Sequence, residues 1–212
     1  MTKSRNPVVL VHGFTDTTAV FRTMTTYLTN LGWSVHSFNL TPNTGACGLE
    51  KLAHQVAAYI NNTFDNSQPV DLIGFSMGGI ITRYYLQRLG GIQRVQRYIS
   101  ISAPNQGTVT AYSLPLRGIA QMRPNSPFLQ DLNRDAAEQL AKINFTVIWT
   151  PFDLMIYPAA SSRMSVGEEV IIPVLVHAWM KTDNRSLAAV ATALKAPLKS
   201  DRQLQLTPEP QK

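Results

Sequence analysis

The stretch DLIGFSMGGI, residues 71–80, places Ser76 among three glycines, after an apolar run and before a helical pattern. Small residues are needed where a strand turns sharply into a helix, because a Cβ atom would collide as the two elements approach. Gly74 and Gly78 stand two residues before and after Ser76, and Gly79 leaves further room in the first helical turn. The stretch therefore predicts a strand, a tight turn that exposes Ser76, and a helix.

Apolar runs of strand length alternate with helical patterns on both sides of this stretch. The predicted strands are residues 32–40, 69–75 and 95–103, with others within 7–14, 145–153 and 168–178. Apolar residues at helical spacing predict helices over 20–31, 49–64, 78–90 and 186–195, the first capped by Asp16 or Thr17. This alternation predicts an α/β fold with a central, mostly parallel sheet of about six strands and helices on both faces.

The chain length predicts a single domain over residues 1–212. A hydrophobic share of 44% and a charged share of 15% are typical of a globular protein, and single cores stop growing only above roughly 250 residues. The polar, proline-bearing tail, residues 196–212, is expected to be flexible. Residues 104–142 are long for a connection, which predicts either an inserted helical element or part of a substrate groove.

Charge and cysteine content limit the classes of partner and compartment. Nineteen Lys and Arg against thirteen Asp and Glu give a net charge of +6, but the basic residues are scattered, so we expect no nucleic-acid partner. An anionic lipid surface is a candidate partner. The single Cys47 excludes an intrachain disulfide and fits a reducing compartment. No window has the length of a membrane span or a signal-peptide core, so we expect a cytoplasmic protein, soluble or peripheral at a membrane.

A serine at such a turn can act as a nucleophile if a base lies beside it and donors can hold an oxyanion. In this type of sheet the expected chain order is Ser, then Asp or Glu, then His. Of the four histidines, only His177 follows Ser76. It stands after the last apolar run and before the final helix, where a loop can bring it to the serine. We therefore predict that His177 is the base, with a structural histidine as the alternative.

The orienting acid must lie between these two residues. The candidates are Asp131, Asp135, Glu138, Asp153, Glu168 and Glu169. The first three are predicted on polar helical faces, and the last two are predicted to precede a strand, at the opposite edge of the sheet. Asp153 alone directly follows a predicted strand, at the same edge as Ser76. We predict that Asp153 orients the base, with helix capping as the alternative.

Two further groups of residues are predicted to complete the site. The oxyanion hole should combine the backbone N–H of Met77 with that of Phe14 in the loop after the first strand, where Gly13 allows close approach and His12 braces the loop. An apolar trough for an acyl chain is expected as well. Its candidates, besides Met77, are Ile119, Met122, Met155, Ile156 and Trp179. Each of these could equally belong to the core.

The motifs VHGF, GFSMGG, SAPNQGT and NSPFLQDLN occur in this order, followed by Asp153 and His177. With them the chain resembles the α/β-hydrolase superfamily, specifically small bacterial triacylglycerol lipases and their cyanobacterial relatives, over nearly its whole length. The resemblance implies a minimal α/β-hydrolase fold with the same nucleophile, base, acid and oxyanion-hole residues. Neither a cofactor nor a metal ion is expected.

These residues predict a serine lipase or esterase that hydrolyses esters of acylglycerols or membrane lipids through an acyl-enzyme. Within enzymes, the alternative is a thioesterase or acyltransferase with the same triad, because fold and triad do not determine the substrate. From another class, the alternative is a lipid-binding protein that has the fold without turnover.

Overall fold

The structure is a computed structural model that describes residues 5–199, so most of the expected flexible tail, 200–212, lies outside the described residues. The strands are β1 (Val8–Val11), β2 (Val35–Ser37), β3 (Val70–Phe75), β4 (Val95–Ile101), β5 (Asn144–Trp149) and β6 (Glu168–Ile171). The α-helices are α1 (Arg22–Asn30), α2 (Leu49–Thr63), α3 (Met77–Arg88), α4 (Arg117–Gln121), α5 (Pro127–Arg134), α6 (Ala136–Leu140) and α7 (Asn184–Lys195).

The six strands form one sheet in the order β2-β1-β3-β4-β5-β6, and all neighbouring strands are parallel. This confirms the predicted α/β architecture. In this arrangement the carboxyl ends of all strands meet at one edge, where ligands of open α/β sheets usually bind. The segments that follow β1, β3, β5 and β6 therefore carry the predicted catalytic and oxyanion-hole residues to the same edge, and the segment after β4 carries Ile119 and Met122.

Both faces of the sheet are covered, as alternate residues of β1 illustrate. Val8 and Leu10 belong to an apolar cluster with α1 and α7, whereas Val9 and Val11 belong to a second cluster with α2 and α3. All four side chains are completely buried. A strand buried on both faces reads as a continuous apolar run, which is why this segment could be identified from its composition.

Three local expectations are corrected by the structure. Strand β2 has only three residues, Val35–Ser37, instead of the nine predicted from composition. β6 begins at Glu168, so Glu168 and Glu169 do not precede this strand but form its first residues. The first helical segment begins with a 3-10 turn, and the amide of Thr18 donates to Asn39 Oδ1 at 2.8 Å. Neither Asp16 nor Thr17 therefore caps it with its side chain.

The long segment 104–142 folds as a helical insertion that contains α4, α5 and α6. Arg83 on α3 holds this insertion from within the core, since its guanidinium donates to Leu132 O at 3.0 Å and to Asn133 Oδ1 at 2.8 Å. Burial lowers the pKa of Arg83 to about 10, so the group stays charged at neutral pH. Arg88 adds ion pairs to Asp131 and Asp135. These two acids are thus paired with Arg88, whereas His177 is bonded to Asp153.

Within residues 5–199 no helix combines the length and the apolar character that crossing a bilayer requires.

Candidate active site

Ser76 occupies a strained turn between β3 and α3. Its φ of 54° and ψ of −127° lie in a region that residues with a side chain rarely adopt, at a cost on the order of 1–3 kcal/mol. The turn is held by its backbone, because Ser76 N donates to Ile101 O at 2.9 Å and Gly79 N donates to Ser76 O at 2.9 Å. The side chain is only half-buried. The turn therefore presents the hydroxyl at the carboxyl edge of the sheet.

The glycines around Ser76 are needed for packing. A Cβ atom on Gly78 would collide with the carbonyl oxygens of Val11 and His12, and a Cβ on Gly74 would lie 2.6 Å from Gly79 Cα. Real Cβ atoms do not approach backbone so closely. Gly74 thus allows the close approach of β3 and α3 that the sequence predicted, and Gly78 allows α3 to pass close to the end of β1, a contact that the sequence did not predict.

The acid and the base are joined by a short hydrogen bond. His177 Nδ1 lies 2.7 Å from Asp153 Oδ2, and the Asp153 side chain is almost completely buried. The other carboxylate oxygen, Oδ1, accepts the backbone N–H groups of Met155 and Ile156, each at 2.9 Å. Asp153 therefore holds the imidazole with one carboxylate oxygen and the turn that follows it with the other. The next helical segment begins only at Ala159, with Pro158 at its N-cap, so Asp153 does not cap a helix.

His177 and Ser76 both line one cavity of about 520 Å³. The ring of His177 also packs against that of Phe75, with 4.9 Å between the ring centroids. Within residues 5–199 no hydrogen bond joins Ser76 Oγ to the imidazole. Catalytic hydrogen bonds are often long before substrate binds, so this geometry is compatible with a serine–histidine pair.

The two predicted oxyanion-hole residues lie at the same site. Phe14 and Met77 line a second cavity together with Ser76, and neither amide has an acceptor within the described part of the chain. Met77 is the first residue of α3, where N–H groups lack intrahelical partners and the helix dipole favours negative charge. Gly13 lets the Phe14 loop approach, since a Cβ there would lie 3.0 Å from Ser76 Cβ. Both amides can donate to a developing oxyanion.

His12 braces the Phe14 loop. Its Nε2 accepts the N–H of Leu40 at 3.0 Å, and its Nδ1 lies 3.0 Å from Gly13 O, an arrangement that suits a neutral ring with the proton on Nδ1. Burial lowers the pKa of His12 below its ordinary value, against the opposing effect of the Gly13 carbonyl. The ring therefore stays neutral and bonded to backbone on both sides.

The two cavities meet at Ser76 and differ in size and lining. The smaller cavity, about 110 Å³, is lined by Phe14, Ser76, Met77, Pro104, Thr108, Thr110, Ala111, Ser113, Leu114, Ile119, Met122, Met155 and Ile156. The larger is lined by Phe14, Thr15, Asp16, Phe75, Ser76, Leu154, Met155, Leu175, Val176, His177, Ala178 and Lys181. His177 thus contributes to the larger cavity and not to the smaller one.

Four of the five residues predicted to bind substrate line the smaller cavity. They are Ile119, Met122, Met155 and Ile156. Trp179 is not brought to them, because it lies on the 3-10 turn after His177 with 55% of its surface exposed and lines neither cavity.

The acid loop is the segment after β5, residues 150–158, which carries Asp153. Sequence reasoning missed the hydroxyls that hold this loop. Thr108 Oγ1 donates to Met155 O at 3.0 Å and accepts the N–H of Tyr157 at 2.8 Å, and Thr110 Oγ1 donates to Met155 O at 2.7 Å. The two segments are more than forty residues apart in the chain, and threonine in a loop gives no pattern from which the contact could be found.

No group of three or more His, Cys, Asp or Glu side chains in residues 5–199 is arranged to hold a metal ion.

The sequence of this chain matches a known protein family over its N-terminal part. A family model described as palmitoyl protein thioesterase matches residues 7–123, which contain the predicted nucleophile and both oxyanion-hole residues. The match stops before the predicted acid and base.

Solved structures with the same fold include several lipid hydrolases. Lipase B of Aspergillus fumigatus has a TM-score of 0.76 and 19% identity, covering 92% of this chain and 53% of its own. The mature form of Bacillus licheniformis lipase BlEst2 has a TM-score of 0.71 and 15% identity, covering 91% of this chain and 93% of its own. Phospholipase PlaB of Legionella pneumophila has a TM-score of 0.78 and 12% identity, covering 93% of this chain and 60% of its own.

The chain spans about half the length of the Aspergillus protein. At these identities the likeness is one of fold, and it confirms the α/β-hydrolase architecture that the motifs indicated.

Proposed function

The chain belongs to the palmitoyl protein thioesterase family, and on this premise we propose that it is a serine hydrolase of carboxylic esters that works through an acyl-enzyme. The observation that carries the proposal is the 2.7 Å bond between Asp153 Oδ2 and His177 Nδ1 in the cavity where Ser76 projects from its strained turn. A purely structural histidine has no need of a serine on a strained turn in the same cavity.

In the proposed mechanism, Ser76 Oγ attacks the ester carbonyl carbon while His177 Nε2 takes the hydroxyl proton. The N–H groups of Phe14 and Met77 hold the oxyanion. When the tetrahedral intermediate collapses, His177 gives its proton to the leaving alcohol, and an acyl-enzyme remains. A water molecule, deprotonated by His177, then attacks the acyl carbon. The bond between this carbon and Ser76 Oγ breaks, Oγ takes the proton back from His177, and the carboxylic acid leaves. Asp153 holds the imidazole and stabilises its charged form throughout.

The rate of ester hydrolysis by the wild type and by Ser76→Ala tests this proposal. With p-nitrophenyl esters of short to long acyl chains, we expect the substitution to remove several orders of magnitude of kcat, as for members of cooperative triads. Equal rates for both proteins would refute the assignment. Inactivity of the folded wild type on every ester and thioester, emulsified lipid included, would favour the non-catalytic lipid-binding alternative.

The family match favours a thioesterase as the second candidate. Ser76, His177 and the oxyanion donors would act in the same way, with a thiol instead of an alcohol as the leaving group. An oxygen ester and a thioester of one fatty acid, compared by kcat/KM, separate the two candidates. A much higher value for the thioester, after allowance for its greater intrinsic reactivity, would place the thioesterase first.

A lipid substrate is favoured by the surface around the two cavities. Ten of the eleven large apolar side chains that are exposed within residues 5–199 come from segments 109–114, 152–157 and 175–179, which line the cavities. Leu154 and Leu175 are the most exposed, at 78% and 66%. Concentrated apolar surface of this kind marks interaction sites. We therefore include acylglycerols and membrane lipids in the proposed substrate class, with peripheral contact at the lipid surface.

Contact with a lipid surface can be measured by co-sedimentation with phosphatidylcholine vesicles. We expect Val109→Ser with Trp179→Ser, at exposed positions that line neither cavity, to weaken sedimentation, while turnover of a short, soluble ester changes little. Unchanged sedimentation of the double variant would remove this part of the proposal.

A further inference from the structure

The larger cavity has one polar corner, formed by Asp16 and Lys181. Lys181 Nζ lies 3.3 Å from Asp16 Oδ2 and 4.4 Å from the centroid of the Phe75 ring. Only 7% of the Lys181 side chain and 24% of the Asp16 side chain is exposed. Most of the remaining wall is apolar, with Leu154, Met155, Leu175, Val176 and Ala178. A buried ion pair in such a wall has a high desolvation cost, so its position beside the site calls for a physical reason.

The pair has unused hydrogen-bonding capacity. An ammonium group has three N–H donors, and within residues 5–199 the only acceptor bonded to Lys181 Nζ is Asp16 Oδ2. The second carboxylate oxygen, Asp16 Oδ1, receives no donor from the same residues. The corner therefore offers up to two N–H donors and a free acceptor atom, while the two charges cancel.

The expected mechanism determines which part of the substrate reaches this corner. His177 must hand a proton to the oxygen of the leaving alcohol, so the alcohol lies on the side of the imidazole. His177 lines the larger cavity and not the smaller one. The alcohol moiety thus occupies the larger cavity, beside Asp16 and Lys181, and the acyl chain enters the smaller cavity past Met77.

We infer that Asp16 and Lys181 form a subsite for the free hydroxyl groups of a neutral, polyol leaving group such as a glyceryl moiety. This inference rests on the proposed ester hydrolysis and specifies its alcohol side. A hydroxyl both donates and accepts, so it can donate to Asp16 Oδ1 while it accepts from Lys181 Nζ. An anionic group would gain attraction from Lys181 but lie close to the Asp16 carboxylate. An alcohol without further hydroxyls would leave the pair unsatisfied.

The same ion pair also links the Phe14 loop to the turn that carries His177, so a merely structural role has to be distinguished. A structural clamp would affect every ester alike, because it acts on the position of the oxyanion hole and the base. A hydroxyl subsite affects only substrates that carry the hydroxyls. The ratio of kcat/KM for an ester with free hydroxyls to kcat/KM for an ester without them therefore separates the two roles. A loss that affects both esters equally cancels in this ratio.

The test compares the ethyl and the glyceryl ester of butyric acid, whose acyl parts are identical. For the wild type we expect kcat/KM for the glyceryl ester to be at least about tenfold higher, because sites that bind a substrate hydroxyl reject analogues without it. In Lys181→Met most of this preference should disappear. Lys142→Met, in which an exposed lysine is replaced, serves as the control and should keep both rates.

Three results would overturn the inference. The first is a wild type that shows no preference for the glyceryl ester, and the second is a Lys181→Met protein that loses the same factor on both esters. The third is a clear preference for the butyric ester of glycerol phosphate over the glyceryl ester, which would make the corner an anion site. If Lys181→Met does not fold, Asp16→Asn replaces it, since this substitution keeps the side-chain shape. It should likewise remove most of the preference for the glyceryl ester.

Failure of this inference can be distinguished from failure of the proposed function. If Ser76→Ala retains the ester activity of the wild type, the hydrolase mechanism itself is wrong. If Ser76→Ala is inactive and the preference for the glyceryl ester is absent or insensitive to Lys181, the mechanism stands and only the subsite is wrong.

Discussion

The serine side and the acid–base side of the candidate site are held by different forces. Ser76 is placed by backbone contacts, with glycines at the points where β1, β3 and α3 approach. Asp153 and His177 stand on loops whose positions depend on side-chain hydrogen bonds. Closely packed backbone atoms leave no space for an added Cβ atom, whereas side-chain hydrogen bonds can be removed one at a time by substitution. Substitutions of the glycines on the serine side should therefore disrupt the fold, and substitutions on the acid–base side should affect mainly activity.

The acid loop makes the contrast clear. Leu154, the residue next to Asp153, is 78% exposed, so its side chain contributes little to holding the loop. Thr108 and Thr110 hold it instead through Met155 O. The hydroxyls of Thr108 and Thr110, which line the smaller cavity, thus join the wall of that cavity to the acid loop.

The largest effect is expected from Gly78→Ala. The added Cβ would meet the carbonyl oxygens of Val11 and His12, which cannot move without displacing β1. We expect a loss of about 3 kcal/mol or more in the free energy of unfolding, measured by urea denaturation.

Gly90→Ala is the matched control for this substitution. A Cβ at Gly90 meets nothing within 4 Å, although its φ of 77° favours glycine, so the cost should be only about 1–2 kcal/mol. Equal losses for the two variants would contradict the importance of close backbone approach beside Ser76.

The second effect is on catalysis and concerns Asp153→Asn. The asparagine can still accept the amides of Met155 and Ile156 through its oxygen, but it cannot stabilise a charged imidazole at His177. We expect kcat to fall by about 10²–10⁴-fold with a small change in KM and in unfolding midpoint. Asp131→Asn, at an acid paired with Arg88, should leave kcat unchanged. A similar kcat for Asp153→Asn and the wild type would remove Asp153 from the mechanism.

A smaller effect is expected from Thr108→Val. The substitution keeps the side-chain shape but leaves the Tyr157 amide without its acceptor and Met155 O with one donor fewer, at a cost of about 1–3 kcal/mol. Because the acid loop is loosened, kcat should fall several-fold. Thr192→Val, at an exposed position of α7, is the control. An unaltered kcat in a Thr108→Val protein of lower stability would show that the acid loop does not depend on this hydroxyl.

The same contrast explains how much the sequence alone could predict. The β3–Ser76–α3 turn and the burial of β1 follow from local patterns, because glycine spacing and apolar runs report directly on backbone approach and on a doubly covered sheet. The short β2 and the exposed Trp179 do not follow, since composition cannot tell whether an apolar residue finds a neighbour. Contacts such as Lys181 with Asp16, 165 residues apart, depend on the folded chain and leave no sequence signal.

The smallest effect concerns pH and involves His12, which lies on the serine side but is held by side-chain bonds. Burial lowers the pKa of His12 in the folded protein below its ordinary value of 6.5. Below that value the unfolded chain binds a proton that the folded chain does not, so stability is lost as the pH falls. One such proton changes the unfolding free energy by at most about 1.4 kcal/mol per pH unit.

We therefore expect the wild type to lose stability between pH 7 and pH 5 more steeply than His12→Gln, whose amide can replace the acceptor for Leu40 N without titrating. Urea denaturation at several pH values measures the two slopes. The difference between them isolates His12 from His36, whose pKa is also lowered by burial and which is present in both proteins. Parallel slopes would mean that His12 titrates alike in the folded and unfolded chains. The ring of His12 would still contact Leu40 N and Gly13 O, but it would not make the stability of this loop depend on pH.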